Sequence, residues 1–154
     1  MKLSRFQISL IFAYVILILI AYIDLSGSLL IGKEAYTSGK FPVEYWYAFR
    51  NFSFLIFLII PAMYYLFVRD KSDTIAIFIA SIVGFYTGIS DAFYFFLQGV
   101  AIAPVLPWLT NHPVIGRVAD IFTAGVVTNI TLVISIILGL IVTFLLTKLL
   151  HKLN

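Results

Sequence analysis

The 154-residue sequence contains no cysteine. This absence excludes disulfide bonds, thiolate zinc sites, iron–sulfur clusters and a cysteine nucleophile. Charged residues are scarce as well, at 11% of the chain, whereas soluble domains carry about 25%. Hydrophobic residues instead make up 62% of the sequence. A soluble domain of this length could not bury that many hydrophobic residues. We therefore predict one membrane domain over residues 1–154.

The basic residues are few and scattered, and the net charge is only +3. A nucleic-acid partner would need a basic patch, so we expect none. His112 and His151 lie outside the long apolar runs, which argues against a haem held inside a helical bundle. We therefore expect neither a metal nor a cofactor.

Four apolar runs are long enough to cross a bilayer. A helix needs about 20 mostly apolar residues to cross a hydrocarbon core about 30 Å thick. The runs occupy residues 6–23, 49–68, 74–97 and 121–146. The first run exceeds the apolar region of a signal peptide, so we expect it to be retained. The sequence thus predicts an all-α integral membrane protein, a four-transmembrane-helix bundle.

Lysine and arginine predict the orientation, because short cytoplasmic segments are enriched in them. One side would hold Lys2, Arg5, Arg69, Lys71, Lys148 and Lys152, and the other Lys33, Lys40, Arg50 and Arg117. The first group lies in short tails and one tight turn, and the second is spread over longer loops. We therefore predict that both termini are cytoplasmic and that the protein is a multi-pass protein of the cell membrane.

Two segments would lie on the outer side, at residues 24–48 and 99–119. The first contains glycines and a proline typical of turns. The second is too apolar for a solvated loop, and Pro104, Pro107 and Pro113 prevent one long helix. We expect it to lie on or dip into the outer interface, with Trp108 as an anchor.

One carboxylate interrupts the third apolar run, in GFYTGISDAFYFFLQ at residues 84–98. An ionisable residue at the centre of a bilayer costs about 2.5–3.5 kcal/mol and is a functional-site hypothesis by default. Asp91 would lie roughly 9 Å below the outer end of its span. Arg50 and Asn51 begin the second span on the same side, near Asp24 and Asp120. The inner half of the bundle is predicted to be nearly free of such groups.

Helical phase gives Asp91 its expected neighbours. In one continuous helix, its face would also carry Gly84, Thr87, Gly88, Tyr94 and Gln98. The Gly84–Gly88 pair forms a GxxxG motif that would let a neighbouring helix approach, so Asp91 would face protein. The predicted ligand-binding residues are Asp91, Arg50, Asn51, Tyr94 and Thr87. The structural alternative is an ion pair between Asp91 and Arg50.

The fourth run contributes Asp120 and Asn129, nine residues apart in the sequence. In a continuous helix they point about 180° apart, so at most one of them would join Asp91. Asp120 could instead cap the helix, and Asn129 could hydrogen-bond to a neighbouring helix.

The layout is similar to that of the lipoprotein signal peptidases, which are intramembrane aspartyl enzymes of about this length. RVADIFTAG resembles the family's Asn-x-Ala-Asp-Ser motif at Asp120, and YAFRNFSF resembles its Asn-x-Gly-x-x-Phe motif through Asn51. GISD shares a Gly and an Asp with a Gly-Asn-x-x-Asp-Arg motif, one residue closer together, with Ile89 after the Gly instead of Asn and Ala92 after the Asp instead of Arg. The resemblance implies an intramembrane hydrolase with Asp91 and Asp120 as catalytic residues, which would have to share a proton across a water.

Three functions follow as hypotheses. The leading one is a non-catalytic membrane protein whose outer-leaflet polar pocket binds a lipid, another amphipathic ligand or a partner's transmembrane subunit. The expected partners are the bilayer itself, such a ligand, and a membrane-protein partner or a second copy of the chain. The alternatives are the aspartyl hydrolase and a small transporter, although transport favours polar groups at the bilayer midplane.

Overall fold

The computed structural model describes residues 3–31 and 43–152, so the predicted segment 24–48 falls partly outside the described residues. Within these ranges the regular structure is helical. The helices are α1 (Arg5–Ile31), α2 (Val43–Val68), α3 (Lys71–Tyr86), α4 (Ile89–Gln98), α5 (Ile115–Phe122) and α6 (Asn129–Lys152), with a 3-10 turn at Pro107–Leu109. The predicted all-helical class is confirmed for this part of the chain.

Length and composition identify the helices that could cross a membrane. Arg5–Leu30, Tyr47–Val68 and Asn129–Lys152 are each long and apolar enough. α3 and α4 meet the same criteria only as a pair, and that pair is bent by 70°. The described residues therefore contain three candidate spans, or four if the bent pair is one span, as expected for a membrane protein.

The third apolar run, predicted as one helix over residues 74–97, is broken. Gly88 stands between α3 and α4 with φ 88°, a left-handed conformation that glycine adopts without steric cost. A Cβ on Gly88 would collide with Leu132 of α6 and would lie 3.0 Å from Cδ1 of Ile115. Gly88 therefore turns the chain and also makes room for α5 and α6.

The two glycines of the GxxxG motif have different neighbours. Gly84 packs closely against Leu17 of α1, whereas Gly88 packs against Leu132 of α6. The prediction of one glycine face on a continuous helix is therefore wrong, because the chain turns between the two positions.

The fourth run, predicted over residues 121–146, is divided between α5 and α6. Ala124 and Gly125 have φ values of 51° and 83°, which end the helical path. Thr128 then starts α6, since its hydroxyl accepts a hydrogen bond of 3.3 Å from the Thr131 amide in the manner of an N-terminal cap. Asp120 belongs to α5, so the predicted capping of span four by Asp120 is wrong.

The segment 99–128 folds back onto one end of the bundle, which the sequence predicts to be the outer one; we call it the outer end, and we call the end with Arg5 and Lys152 the inner end. The amide of Leu106 donates to the Val127 carbonyl at 2.9 Å, and the amide of Asn129 donates to the Pro104 carbonyl at 3.2 Å. A buried core joins this segment to α1, α4 and α6; it contains Ala21, Tyr94, Phe95, Leu106, Leu109, Ile115, Ala119, Val127 and Leu132. Trp108 is half-buried against this core, 6.5 Å from the Phe95 ring centre.

α1 lies at the centre of the bundle and contacts α2, α3, α4 and α6. α3 also packs against α6, where the side chain of Thr87 lies on Gly139. The described ends of the chain lie together, since the Phe6 and Phe144 rings are 5.3 Å apart. Two polar regions result, one beside the break between α3 and α4 and one at the end shared by Arg5 and Lys152.

Candidate functional site

A network of hydroxyl groups and one carboxylate links α1, α2 and α4 at the outer end. The Tyr45 hydroxyl donates to Oδ1 of Asp24 at 2.8 Å. The Tyr94 hydroxyl donates to the Ser28 hydroxyl at 3.1 Å, and Gln98 donates to Tyr94 at 3.5 Å. Polar side chains from three helices therefore meet on the side where the sequence predicts a pocket.

Asp91 lies in the first turn of α4 and is half-buried. A carboxylate in this position is stabilised by the positive end of the helix dipole. Within the described residues, no ion pair and no hydrogen bond from another residue reaches its side chain. Asp24 of α1 lies near enough to act electrostatically on it. The break therefore presents a carboxylate that no other described residue hydrogen-bonds.

The predicted partners from the second span do not join this carboxylate. Arg50 and Asn51 are both exposed. The Arg50 guanidinium lies 5.0 Å from the ring centre of Tyr47 on its own helix, and no described ion pair joins it to Asp91. The expected Arg50–Asp91 ion pair is therefore wrong, because Arg50 points along the surface of α2.

Thr87 and Tyr94 are both buried. The Thr87 hydroxyl donates to the Val83 carbonyl at 2.8 Å, which also accepts the Thr87 amide at 3.0 Å, and the Thr87 side chain packs on Gly139. Tyr94 is part of the outer network through Ser28. Of the five predicted ligand-binding residues, Thr87 lies just before the helix break, whereas Tyr94 lies after it on the same helix as Asp91.

The fourth run places its polar residues elsewhere. Asp120 is exposed and lies 3.5 Å from Arg117, whose side chain is 83% exposed. No described hydrogen bond or ion pair brings Asp120 to Asp91. Asn129 is the first residue of α6 and is half-buried.

A second polar cluster lies at the inner end, where the sequence predicts basic residues in the flanking segments but almost no ionisable groups inside the bundle. Asp73 of α3 has a side chain that is only 2% exposed. Its Oδ2 accepts hydrogen bonds from Nη2 of Arg5 at 2.9 Å and from the Tyr64 hydroxyl at 3.1 Å. Its Oδ1 lies 3.5 Å from Nε2 of His151. The prediction of an inner half without such groups is therefore wrong.

Asp70, in the turn before α3, supports this cluster. Its carboxylate accepts a hydrogen bond of 2.9 Å from the Asp73 amide and also pairs with Arg5. The backbone hydrogen bond from Asp73, together with the Arg5 charge, lowers the pKa of Asp70. The sequence analysis misses the cluster because it considers RDKSD, residues 69–73, only as a tight turn with basic residues.

A signal for the cluster was present in the sequence. Asp73 shares its helical face with Ala76, Ile77 and Ala80, at spacings of three, four and seven, and all three are buried. An aspartate at the end of a buried face predicts a buried carboxylate that needs a partner.

Outside the helices, His112 stands apart from both clusters. Burial lowers its pKa to about 4, and its Nδ1 accepts a hydrogen bond of 3.4 Å from the Ile115 amide. Within the described residues, no group of three or more histidine, aspartate or glutamate side chains could hold a metal ion.

Comparison of the chain with protein-family models, with curated proteins and with solved structures finds no match.

Proposed function

We propose that this chain is a non-catalytic membrane protein whose outer polar region binds, through Asp91, an amphipathic molecule or the transmembrane helix of a partner. The observation that carries the proposal is the Asp91 carboxylate, which lies in a broken apolar segment without a described partner. A carboxylate that is partly removed from water without a partner is costly, and a bound hydrogen-bond donor or cation would reduce that cost.

The helix break adds to the recognition chemistry. The first amides of α4 have no partner inside their own helix, and irregular backbone at membrane depth is tolerated where it lines a cavity or is covered by protein. Tyr94, Ser28 and Gln98 supply hydroxyl and amide groups beside it. A ligand with a polar or cationic head and an apolar body matches both this region and the lipid-facing helices around it.

The proposal includes four spans, with α3 and α4 together forming the third. Both ends of the chain would then lie on the cytoplasmic side of the cell membrane. The contact between Phe6 and Phe144 supports this, since an even number of spans returns the chain to its starting side.

Native co-purification tests the binding proposal. The protein is extracted in a mild detergent from its expression membrane, and bound molecules are identified by native mass spectrometry. A bound mass of lipid size indicates an amphipathic ligand, a larger mass indicates a partner subunit, and a multiple of the chain mass indicates self-association.

The decisive variant is Asp91→Asn, with Asp120→Asn and Arg50→Gln as matched controls at exposed positions. A charge-assisted hydrogen bond contributes about 1.5–3 kcal/mol, so Asp91→Asn should reduce retention by roughly 10- to 100-fold. The two controls should retain the bound species as the unmodified protein does. If Asp91→Asn retains it equally well, the proposal is wrong.

A second candidate function, proton passage, is favoured by two buried hydroxyls. Ser135 and Thr143 lie on the buried face of α6, and among the described residues their hydroxyl oxygens have no hydrogen-bond partner. They lie along α6 on the way from the helix break to the end that holds His151, and ordered water is the usual partner of such groups. Proton flux into proteoliposomes that depends on both Asp73 and Asp91 would support this function, whereas flux at the level of empty liposomes would reject it.

The aspartyl hydrolase remains a prediction. It needs the carboxylates of Asp91 and Asp120 to share a proton across one water. A separation beyond about 7 Å between the two carboxyl groups in an experimental structure would contradict it, since sharing one proton requires a closer pair.

A further inference from the structure

A groove opens between α1 and α2 at the inner end of the bundle, with a volume of about 640 Å³. Its apolar lining comes from Ile8 and Phe12 of α1 and from Ile60, Met63, Phe67 and Val68 of α2. This volume is within the usual range for small-molecule sites. By helical rise, the lining extends roughly 10–12 Å along the two helices, about a third of the hydrocarbon core.

The inner end of the groove is polar. Arg5 and Asp73 line it there, and the turn from Arg69 to Asp73 connects its α2 wall to α3. Arg5 already binds the carboxylates of Asp70 and Asp73. The charge that remains for a ligand therefore comes from other residues.

Arg69 and Lys71 flank this turn, and both are exposed. Neither has an acidic partner among the described ion pairs, and the Arg69 guanidinium lies 5.9 Å from the Tyr65 ring centre. Arg69 directly follows Val68 of the groove wall, and Lys71 lies two residues before Asp73. Arg5 offsets one of the two negative charges of Asp70 and Asp73, so with Arg69 and Lys71 the turn at the end of the groove keeps a net positive charge. Basic groups beside a bilayer attract anionic lipid headgroups.

We propose that this groove binds one acyl chain of an anionic phospholipid whose phosphate lies against Arg69 and Lys71. The apolar lining takes the chain, and the two cations select the headgroup charge. The site is independent of the binding proposed at Asp91, because it lies at the opposite end of the bundle and uses other residues. Two cations near a membrane surface give roughly tenfold or greater preference for an anionic headgroup over a zwitterionic one.

Fluorescence quenching in vesicles tests this site on the full-length protein. Trp46 and Trp108 are replaced by Phe, and Phe67→Trp places a single reporter at the groove. The vesicles contain phosphatidylcholine with a small fraction of brominated phosphatidylglycerol or brominated phosphatidylcholine, since bromine quenches a tryptophan that it contacts. Brominated phosphatidylglycerol should quench the reporter with about a tenfold higher relative binding constant.

Two double variants separate this site from a general attraction to the basic end. Arg69→Gln with Lys71→Gln should reduce the preference to about one, whereas Lys148→Gln with Lys152→Gln, which removes the same charge from α6, should leave it nearly unchanged. Lys148 and Lys152 belong to α6 and do not line the groove, and thermal unfolding checks that each variant is folded. Equal quenching by both lipids, or equal loss of preference in both double variants, would overturn the proposal.

Discussion

Asp73 directly precedes the third apolar run and Asp91 lies inside it, and the surroundings of the two carboxylates in the structure are opposite. Asp73 accepts hydrogen bonds from Arg5 and Tyr64, whereas Asp91 has no described partner and relies on the first turn of α4. A carboxylate with its own cation is a structural group, because removing either member leaves a buried charge. A carboxylate without one is a candidate for binding. The two residues therefore suit different roles.

Asp73→Ala should destabilise the protein by about 1–3 kcal/mol, because it leaves the Tyr64 hydroxyl buried and without its acceptor. The matched control is Asp120→Ala, which removes an exposed pair with Arg117 and should change stability by about 0–1 kcal/mol. Unfolding by a denaturing detergent, followed by circular dichroism, measures both. Equal stability of the two variants would contradict a structural role for Asp73.

His112 predicts a pH dependence of stability. Burial lowers its pKa to about 4 in the folded protein, whereas an unfolded histidine has a pKa of about 6.5. Between these values the unfolded chain binds more protons, so the contribution of His112 is complete above about pH 6.5 and is lost as the pH falls toward 4.

His112→Asn keeps an acceptor for the Ile115 amide but cannot take a charge in this range. The melting temperature of the unmodified protein should therefore fall more between pH 7 and pH 5 than that of the variant. His151→Asn is the control for the other histidine. Parallel pH profiles for the unmodified protein and His112→Asn would contradict the assignment.

At the scale of the element, the break between α3 and α4 depends on one residue. Apolar content predicts a span over residues 74–97, and hydropathy alone contains no signal for a turn inside it. Gly88 permits a positive φ, but a glycine within a membrane helix is also common in straight spans. The turn is fixed by the neighbours, because Leu132 and Ile115 occupy the space where a side chain would stand.

Gly88→Ala should therefore destabilise the protein through both conformation and packing. A left-handed residue with a Cβ costs about 1–2 kcal/mol, and the contact with Leu132 adds to it. Gly99→Ala is the matched control, since Gly99 has φ 68° but no atom within 4 Å of the added Cβ. The thermal stability of Gly88→Ala should fall below that of Gly99→Ala; equal values would show that the packing at Gly88 has no effect.

At the scale of the whole molecule, the absence of cysteine makes the proposed orientation easy to test. Ser72→Cys lies in the first turn of α3 near the inner cluster, and Thr110→Cys is exposed in the outer segment. In intact cells, a membrane-impermeant maleimide should label Thr110→Cys and leave Ser72→Cys unlabelled until the membrane is opened. Labelling of both positions, or of Ser72→Cys alone, would contradict four spans with cytoplasmic ends.

The sequence by itself determined the membrane class, the helical secondary structure and the approximate positions of the long spans. These are local properties, since the length of an apolar run decides whether a helix can cross a bilayer. Because Asp91 stands inside such an apolar run, the sequence also identified it as an unusual carboxylate. It also predicted that polar residues would collect at the outer end, where Tyr94 now lies in a network with Ser28 and Gln98.

Only the tertiary structure decided which groups meet. It placed Arg50 over Tyr47 rather than beside Asp91, gave Asp73 its cation from Arg5, 68 residues away in the chain, and separated Asp120 from the start of α6. Each of these outcomes depends on the direction of a side chain and on what a neighbouring helix supplies at the same depth. The positions of residues around one helix do not show which groups a neighbouring helix supplies. At Gly88, the residues before and after the turn also no longer share one helical face, because the chain turns there.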